Sequence, residues 1–293
     1  MGRGDLSNAE WERLRPLLPL ETGRRGGRWR DHRQVINGII WRIRTGSPWR
    51  DLPERYGPWQ TCYKRFARWE TDGTWARIQQ AVQRDADAAG ELDWQVQVDT
   101  TIVRAHQHAA GAARGLTPQA SATQQGLGRS RGGLSTKIHV VGDGRGRPLV
   151  TRATPGQAAD TTALMGLMDA VRVARPGGVG RPRVRPDYLV ADKAYSSRAN
   201  RAGLRGRRIP HTIPERDDQR AHRRRRGRLG GRPVGFCREQ YRRRNQVERG
   251  FNRRKQLWAV ATRYDKLRRH YEATLTVASI LDWLRARPDR TRS

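Results

Sequence analysis

Three carboxylates in this sequence are of the type that binds divalent metal ions. Asp99 lies in an alternating stretch, Asp192 directly follows a short apolar stretch, and Glu248 lies in a polar helical pattern. Carboxylate oxygens are the ligands that hard ions such as Mg²⁺ and Mn²⁺ prefer. Two such ions about 3.5–4 Å apart can activate water and neutralise a phosphoryl group. If the fold brings the three together, they suit metal-dependent cleavage of phosphodiester bonds.

The most informative spacing lies on a helix predicted from about residue 239 to residue 255. Four of its side chains stand at offsets of 0, 3, 7 and 14 and project within about 60° of one another: Tyr241, Arg244, Glu248 and Lys255. Asn252 falls on the same face. This stripe could bind a metal ion and neighbouring phosphates. An ordinary charged face, with pairs such as Arg244 to Glu248, stays open as the alternative.

Asp99 and Asp192 carry less information on their own. A carboxylate on a polar strand face is usually solvated, and one that follows an apolar strand usually caps a helix. Ligands of open α/β sheets, however, bind at the carboxyl ends of the strands, where Asp192 is predicted to lie. Spacing alone therefore decides neither residue.

The charge of the chain indicates a polyanionic partner. It has 60 basic and 28 acidic side chains, a formal net charge of +32. Arginine binds phosphate in a bidentate manner, so nucleic acid is favoured over an acidic protein or a membrane surface. No apolar stretch approaches the roughly 20 residues of a membrane span, and no signal peptide is evident. Cys62 and Cys237 are too few for a disulfide framework, and we expect a cytoplasmic protein.

The first 88 residues are predicted to be helical. A capping box at residues 7–10 begins the first helix, Asp31 begins the second, and the third and fourth cover residues 59–69 and 74–84. Residues 85–91 are predicted to be a linker. The third helix is predicted to expose three basic residues: Lys64, Arg65 and Arg68. Such helices suit a helix-turn-helix-like DNA-binding domain, although a plain helical bundle fits the pattern equally.

The remaining residues, 89–293, predict a mixed α/β domain with later strands in parallel. The predicted strands are 95–103, 136–141, 147–153, 187–191 and 209–213, with a hairpin turn at residues 142–147. The predicted helices are 160–173, begun by Asp160, 196–205, 239–255 and 267–285. Residues 109–133 and 217–233 are predicted to be flexible basic loops.

Two other motifs contain residues that can bind ligands. His106 and His108 could ligate zinc, but no cysteine or histidine cluster accompanies them, so phosphate contact or simple exposure is favoured. The glycine-rich stretch at residues 142–147 lacks the lysine and hydroxyl residue of a nucleotide-binding loop. We therefore expect no nucleotide cofactor.

Residues 241–255 (YRRRNQVERGFNRRK) resemble the Y-x2-R-x3-E-x6-K signature of bacterial insertion-sequence transposases of the DDE, RNase H-like class. All four signature positions match. Six further stretches are similar to the insertion sequence five branch of the insertion sequence four-like transposases: residues 49–59, 98–111, 127–139, 154–157, 191–197 and 261–266. The resemblance covers nearly the whole chain. Arg254 departs from it, because relatives usually carry an apolar residue before the signature lysine.

The resemblance implies an RNase H-like mixed sheet flanked by helices and preceded by the helical domain. It implies that Asp99, Asp192 and Glu248 are catalytic and hold two Mg²⁺ or Mn²⁺ ions, and that Tyr241, Arg244 and Lys255 contact DNA. Only 56 positions separate Asp192 from Glu248, which leaves no room for the β insertion of some relatives.

The implied partners are double-stranded DNA, namely terminal inverted repeats and target DNA, and a second copy of the chain in a homodimer at the nucleoid. Cleavage and strand transfer are the implied reactions. A transposon-derived DNA-binding regulator and an RNase H-like nuclease without strand transfer remain the alternatives.

Overall fold

The computed structural model describes residues 2–20, 29–110, 124–130 and 132–285. Helix α1 (Asn8–Leu14) begins with the predicted capping box, in which the Ser7 hydroxyl accepts from the Glu10 N–H at 3.2 Å and the Glu10 carboxylate accepts from the Ser7 N–H at 2.7 Å. Helix α2 (His32–Thr45) begins at Asp31 and ends at Gly46, whose φ of 68° is left-handed. These predicted helix ends are confirmed, because capping is a local interaction.

Helices α3 (Trp59–Thr71) and α4 (Thr74–Ala88) complete the N-terminal group. The linker predicted from residue 85 was wrong in its first half, because α4 continues to Ala88. Ala86 is buried, and the Asp87 carboxylate accepts a hydrogen bond of 2.7 Å from the indole of Trp94. Tertiary contacts thus extend the helix beyond the apolar pattern that predicted it.

The rest of the described chain is a sheet surrounded by helices. Its strands are β1 (Gln95–Ala105), β2 (Gly128–Ser130), β3 (Gly133–Gly142), β4 (Pro148–Pro155), β5 (Tyr188–Ala191), β6 (His211–Thr212) and β7 (Thr262–Arg263). Its helices are α5 (Gln107–Ala110), α6 (Leu164–Ala170), α7 (Arg198–Gly206), α8 (Asp217–Arg225), α9 (Arg238–Arg242), α10 (Asn245–Lys255), α11 (Trp258–Ala261) and α12 (Arg268–Arg285).

The sheet has β1 at its centre. Strands β3 and β4 continue from one side of β1 as an antiparallel hairpin, while β5 and then β6 lie parallel to β1 on the other side. The predicted hairpin and the parallel direction of the later strands are both confirmed. This order places the carboxyl end of β5 beside the middle of β1.

Three predicted loop or helix segments differ in the structure. Residues 109–133 are not one loop, because Gly128–Ser130 form β2, and residues 111–123 and 131 lie outside the described residues. Asp160 does not cap a helix: its carboxylate lies 2.7 Å from the ammonium of Lys137 on β3, and α6 begins only at Leu164. Residues 217–233 are not one loop, because α8 occupies the first part. Its first turn carries Asp217 and Asp218 and its last turn is basic, an order of charge that the helix dipole favours.

Helix α12 joins the N-terminal helices to the sheet. Most of its side chains are buried, and it packs against α3, α4 and β4. One hydrophobic cluster consequently runs from α2 and α3 through α12 to the central strands. None of the described helices is long and apolar enough to cross a membrane.

Candidate active site

The register of the central strands brings Asp99 and Asp192 together. Val98 on β1 is paired in parallel with Ala191, the last residue of β5. Asp99 and Asp192 are the next residues of the two strands, and neighbouring strands lie only about 4.8 Å apart. Pairing of the buried end of β5 with the buried middle of β1 therefore places two carboxylates side by side.

Asp192 caps the turn that follows β5 and also contacts Arg244. Its carboxylate accepts a short hydrogen bond from the Ala194 N–H and so caps the 3₁₀ turn Lys193–Tyr195 that follows β5. Its other oxygen lies 3.8 Å from the guanidinium of Arg244. Capping fixes the orientation of the carboxylate through one oxygen and leaves the second oxygen available for other contacts.

Helix α10 carries Glu248 to the same place because its first turn is attached to β1. The Gln97 side-chain oxygen accepts a hydrogen bond of 2.9 Å from the Val247 N–H, and the Val247 side chain is fully buried. In a continuous helix that N–H would donate to the carbonyl of Arg243. Here it donates instead to Gln97 and to the carbonyl of Arg244, and the single helix predicted from residue 239 to 255 is two helices, α9 and α10.

Two glycines allow α10 to approach the β3–β4 hairpin. A Cβ on Gly146, whose φ is +77°, would lie 2.2 Å from the carbonyl oxygen of Gln246, and a Cβ on Gly250 would lie 2.5 Å from the carbonyl oxygen of Gly146. The turn was correctly predicted as a hairpin turn. Its glycines also set the distance between the hairpin and the helix that bears Glu248.

One nitrogen of Arg244 contacts all three carboxylates. Its Nη2 lies 3.0 Å from Glu248, 3.3 Å from Asp99 and 3.8 Å from Asp192. The predicted pair of Arg244 with Glu248 is present, but the same guanidinium also reaches the two strand carboxylates. The three side chains thus converge on one positive charge.

Burial and charge act in opposite directions on this cluster. Burial raises the pKa of Asp99 above its ordinary value, and the Arg244 guanidinium and the Thr100 N–H oppose that rise. Asp192 and Glu248 raise it further. Burial lowers the pKa of Arg244, but the carboxylates outweigh burial and leave that pKa raised. A cation among the three carboxylates therefore stabilises their ionised forms.

The other residues of the predicted stripe lie around this cluster. Tyr241 is half-buried on α9, with its ring 5.2 Å from that of Phe236, and it contributes to the raised pKa of Arg244. Asn252 and Lys255 are exposed on α10. The structure therefore brings Tyr241 and Arg244 close together, while Asn252 and Lys255 face solvent further along the helix.

Arg254 has a partner that explains its unusual place before Lys255. Its guanidinium is buried, 3.0 Å from the carboxylate of Asp282 on α12 and 3.3 Å from the carbonyl oxygen of Gly146. Burial lowers the pKa of Arg254 and raises that of Asp282, and each group opposes the other's shift. A charge pair thus fills the position where the resemblance leads us to expect an apolar residue.

The predicted basic face of α3 is only partly correct. Lys64 and Arg68 are exposed, but Arg65 is 7% exposed and was wrongly predicted to face solvent. Its guanidinium lies 3.9 Å from the ring centre of Trp29 and 2.5 Å from His32 Nδ1. Stacking on an aromatic ring that lies far away in sequence turns Arg65 inward.

Two features of the site were missed from the sequence. Gln97 stands two residues before Asp99 and so faces the same side of β1, an alternation that could have revealed it. A cavity of about 400 Å³ opens beside Asp192 and is lined also by Lys193 and Arg216. Nothing in the spacing of Arg216 indicates that α8 would bring it there.

Within the described ranges, no three histidine, cysteine, aspartate or glutamate side chains already form a metal-binding group. His106 and His108 stack edge to face, with ring centres 4.5 Å apart, beside Tyr264. In the carboxylate cluster, Arg244 stands where the oxygens converge.

Comparisons with known proteins match both parts of the chain. The family model described as "Transposase DDE domain" matches residues 92–283, and the one described as "Putative transposase of IS4/5 family" matches residues 6–79. The match to the DDE domain contains all three carboxylates and Arg244. The match to the IS4/5 family contains helices α1 to α3.

Curated proteins are similar over shorter stretches. "Uncharacterized protein y4sN" of Sinorhizobium fredii is 42% identical over 110 residues, which cover 37% of this chain and 83% of that protein. "Insertion element IS402 uncharacterized 16.2 kDa protein" of Burkholderia cepacia is 31% identical over 40% of this chain and 84% of that protein. "Putative transposase for insertion sequence element IS402" of the same species is 39% identical over 28% of this chain and 38% of that protein. No solved structure matches significantly.

Proposed function

Because the chain belongs to the family of DDE transposases of insertion sequences, we propose that Asp99, Asp192 and Glu248 are the carboxylates with which it cuts and joins DNA. The chain is an insertion-sequence transposase and hence an enzyme that acts on DNA. Its mixed α/β sheet is RNase H-like. The observation that carries the assignment is the convergence of three carboxylates on one nitrogen of Arg244.

The donor set suits the divalent metal ions on which DDE transposases generally depend. All three donors are carboxylates, which Mg²⁺ and Mn²⁺ prefer, and their arrangement already holds one positive charge between them. We propose that Asp99, Asp192 and Glu248 hold two such ions. Divalent ions in a site of this kind activate the attacking oxygen and neutralise charge on the phosphoryl group.

Arg244 is proposed to keep the cluster assembled before DNA arrives. Its guanidinium offsets the repulsion among three carboxylates within 3.8 Å of one of its nitrogens. A DNA phosphate would offer it a bidentate partner, so Arg244 would then bind the backbone beside the cleaved bond. Tyr241, Asn252 and Lys255 would contact neighbouring phosphates from the same side of the site.

The reaction that fits this site has two steps. In the first, the oxygen of water forms a bond to a phosphorus at the end of the element while water gives up a proton, the bond from that phosphorus to the 3′ oxygen breaks, and the leaving 3′ oxygen takes up a proton to become a 3′-hydroxyl. In the second, that hydroxyl oxygen forms a bond to a phosphorus of target DNA, and the 3′ oxygen of the target leaves. The carboxylates position the reacting groups in both steps, and no covalent bond to the protein is formed.

Residues 1–88 are proposed to form the domain that binds terminal inverted repeats, and residues 89–293 the catalytic domain. Lys64 and Arg68 on α3 supply exposed positive charge for the first role. A homodimer would pair the two ends of the element. The high positive charge of the chain suits residence on the nucleoid in the cytoplasm.

The test is to incubate the purified protein with Mn²⁺ or Mg²⁺ and DNA that bears the element's ends, and to measure nicked and joined products. Asp99→Asn and Glu248→Gln should each lower both products by at least about a hundredfold while DNA binding persists. Asp169→Asn removes a carboxylate that pairs only with surface Arg207, and it should cut normally.

The products separate the alternatives. Unchanged cutting in Asp99→Asn or Glu248→Gln would overturn the carboxylate assignment. Nicks without joined products from the wild-type protein would indicate a nuclease without strand transfer. Binding of the ends with neither product would indicate a regulator that no longer cuts DNA.

A further inference from the structure

A basic cavity lies apart from the carboxylate cluster. A cavity of about 640 Å³ opens between the last turn of α7, the edge strand β6 and residues 232–235. Its polar lining is formed by five cationic or titratable side chains: Arg201, Arg205, Arg208, His211 and Arg232. The other lining residues are apolar or glycine, and no aspartate or glutamate is among them.

The positive charge of this cavity is not balanced. Within the described part of the chain, the guanidinium groups of Arg205, Arg208 and Arg232 have no hydrogen bond or ion pair, whereas Arg207 between them pairs with Asp169 at 2.8 Å. Arg201 forms the buried side of the cavity. Its guanidinium donates to Ser196 Oγ and to the Ile213 carbonyl at 3.0 Å each. Three exposed arginines around one cavity, unpaired among the described residues, give it a positive potential that attracts anions.

The backbone of Arg208 supports a role in binding. Its φ is +55°, and no other described residue except glycine has a positive φ. The Arg208 N–H donates to the Arg205 carbonyl at 2.8 Å, and the Ile209 N–H donates to the Leu204 carbonyl at 2.9 Å, so the conformation ends α7. Glycine normally occupies this position because it adopts the left-handed conformation without strain. Arginine here accepts strain and gains a guanidinium in the cavity.

The cavity is within reach of DNA held at the carboxylates. Helix α7 begins just after the turn that follows Asp192, and its nine residues span about 13 Å. That length corresponds to about four base pairs along a duplex. Arg201 also links the two places directly, because it contacts Ser196 at the end of the same turn.

We propose that this cavity binds backbone phosphates of the DNA that is held in the active site, with Arg205, Arg208 and Arg232 as the phosphate ligands. Guanidinium groups suit phosphate oxygens because they donate in a bidentate manner. The proposal rests on the proposed function only in taking DNA as the source of the phosphates. It assigns these arginines to holding DNA and gives them no part in cutting it.

The test uses the full chain with the substitutions Arg205→Gln, Arg208→Gln and Arg232→Gln combined. The affinity for end-bearing DNA, measured by fluorescence anisotropy from 50 to 400 mM NaCl, should fall about tenfold or more at 150 mM. The slope of log affinity against log salt should flatten by about 2 to 3, one phosphate contact per arginine. The matched control combines Arg172→Gln, Arg175→Gln and Arg181→Gln, which removes equal charge from exposed residues outside the cavity.

A single substitution keeps the proposal open to test if the triple variant folds poorly. Arg208→Gly relieves the backbone strain, so its Tm should rise by about 2 °C while its DNA affinity falls. Equal losses of affinity and slope in the cavity and control triples would overturn the proposal. A second pair of results would also overturn it. If pyrophosphate raises the Tm of the wild type but the cavity triple binds DNA as the wild type does, the cavity binds a free phosphate and not DNA.

Failure of this proposal and failure of the proposed function have different signatures. The cavity variants are judged by DNA binding and its salt dependence, which Asp99→Asn should leave intact. Asp99→Asn is judged by cut and joined products. A cavity triple that binds DNA like the wild type refutes the phosphate site even when the carboxylate variants behave as expected.

Discussion

The guanidinium of Arg244 lies 3.3 Å from the carboxylate of Asp99, although the two residues are 145 positions apart in sequence. Asp99 is 6% exposed, so this contact is shielded from solvent. A buried carboxylate needs a compensating charge, and Arg244 supplies one in the DNA-free protein. Arg244 therefore competes with any other cation for the carboxylate of Asp99.

We therefore expect Arg244→Gln to bind Mn²⁺ about tenfold more tightly than the wild type in the absence of DNA, because one repulsive charge is removed from the cluster. Isothermal titration calorimetry or the electron paramagnetic resonance signal of free Mn²⁺ would measure the affinity. Arg243→Gln is the control, since Arg243 pairs with Gln95 and contacts none of the carboxylates. Equal affinity in Arg244→Gln and the wild type would contradict the competition.

Substitutions on α3 should separate DNA binding from stability. Arg65→Ala removes a buried cation stacked on Trp29 and should lower the free energy of unfolding by about 2 kcal/mol. Lys64→Ala and Arg68→Ala should leave stability nearly unchanged but lower the affinity for end-bearing DNA several-fold. Urea denaturation and fluorescence anisotropy on the same preparations would measure both quantities. A stable Arg65→Ala with weakened DNA binding would reverse this interpretation.

The sequence predicts the features that depend on near neighbours. Ser7, Asp31 and Gly46 mark helix ends because the groups they cap lie within a few residues. The β3–β4 hairpin follows from alternation around a glycine-rich turn. Glu248 and Arg244 could be paired from helical spacing alone.

Features that depend on distant residues could not be predicted in this way. At the break between α9 and α10, the Val247 N–H donates to Gln97 on β1, a residue 150 positions away in sequence. Arg65 points inward because of Trp29, and Arg254 is tolerated because Asp282 on α12 accompanies it. Each of these pairs joins elements that only the complete fold brings together.

The hairpin turn should prove essential for the position of Glu248. In Gly146→Ala the new methyl group would lie 2.2 Å from the Gln246 carbonyl oxygen in a backbone conformation of φ +77°. We expect a loss of about 3 kcal/mol of stability together with reduced DNA cutting, because α10 must move away from the sheet.

Gly90→Ala is the matched control for this prediction. Gly90 has a φ of +67°, yet a Cβ there would meet nothing within 4 Å. This substitution should cost only the strain of the left-handed conformation, about 1 kcal/mol. Thermal or urea denaturation compares the two variants, and similar losses in both would mean that the approach of α10 to the hairpin is not what requires Gly146.

A buried histidine beneath the site should make the fold sensitive to acid. His139 on β3 is fully buried between Tyr195, whose hydroxyl lies 3.2 Å from Nδ1, and Thr154, whose hydroxyl lies 2.8 Å from Nε2. Burial lowers the pKa of His139 to about 4, with Lys137 and Arg152 lowering it further and Asp160 opposing them. His139 is consequently neutral at pH 7, and Tyr195 belongs to the turn that Asp192 caps.

Because the pKa of His139 in the folded protein is below its unfolded value of about 6.5, the unfolded chain binds the additional proton as the pH falls. The stability that neutral His139 contributes is present above pH 6.5 and is lost towards pH 4. From pH 7 to pH 5 this group should lower the free energy of unfolding by about 2 kcal/mol. Urea denaturation at pH 7, 6 and 5 should show a smaller decrease in His139→Gln than in the wild type, since the buried carboxylates are common to both proteins. Equal decreases in the two proteins would exclude His139 as the source.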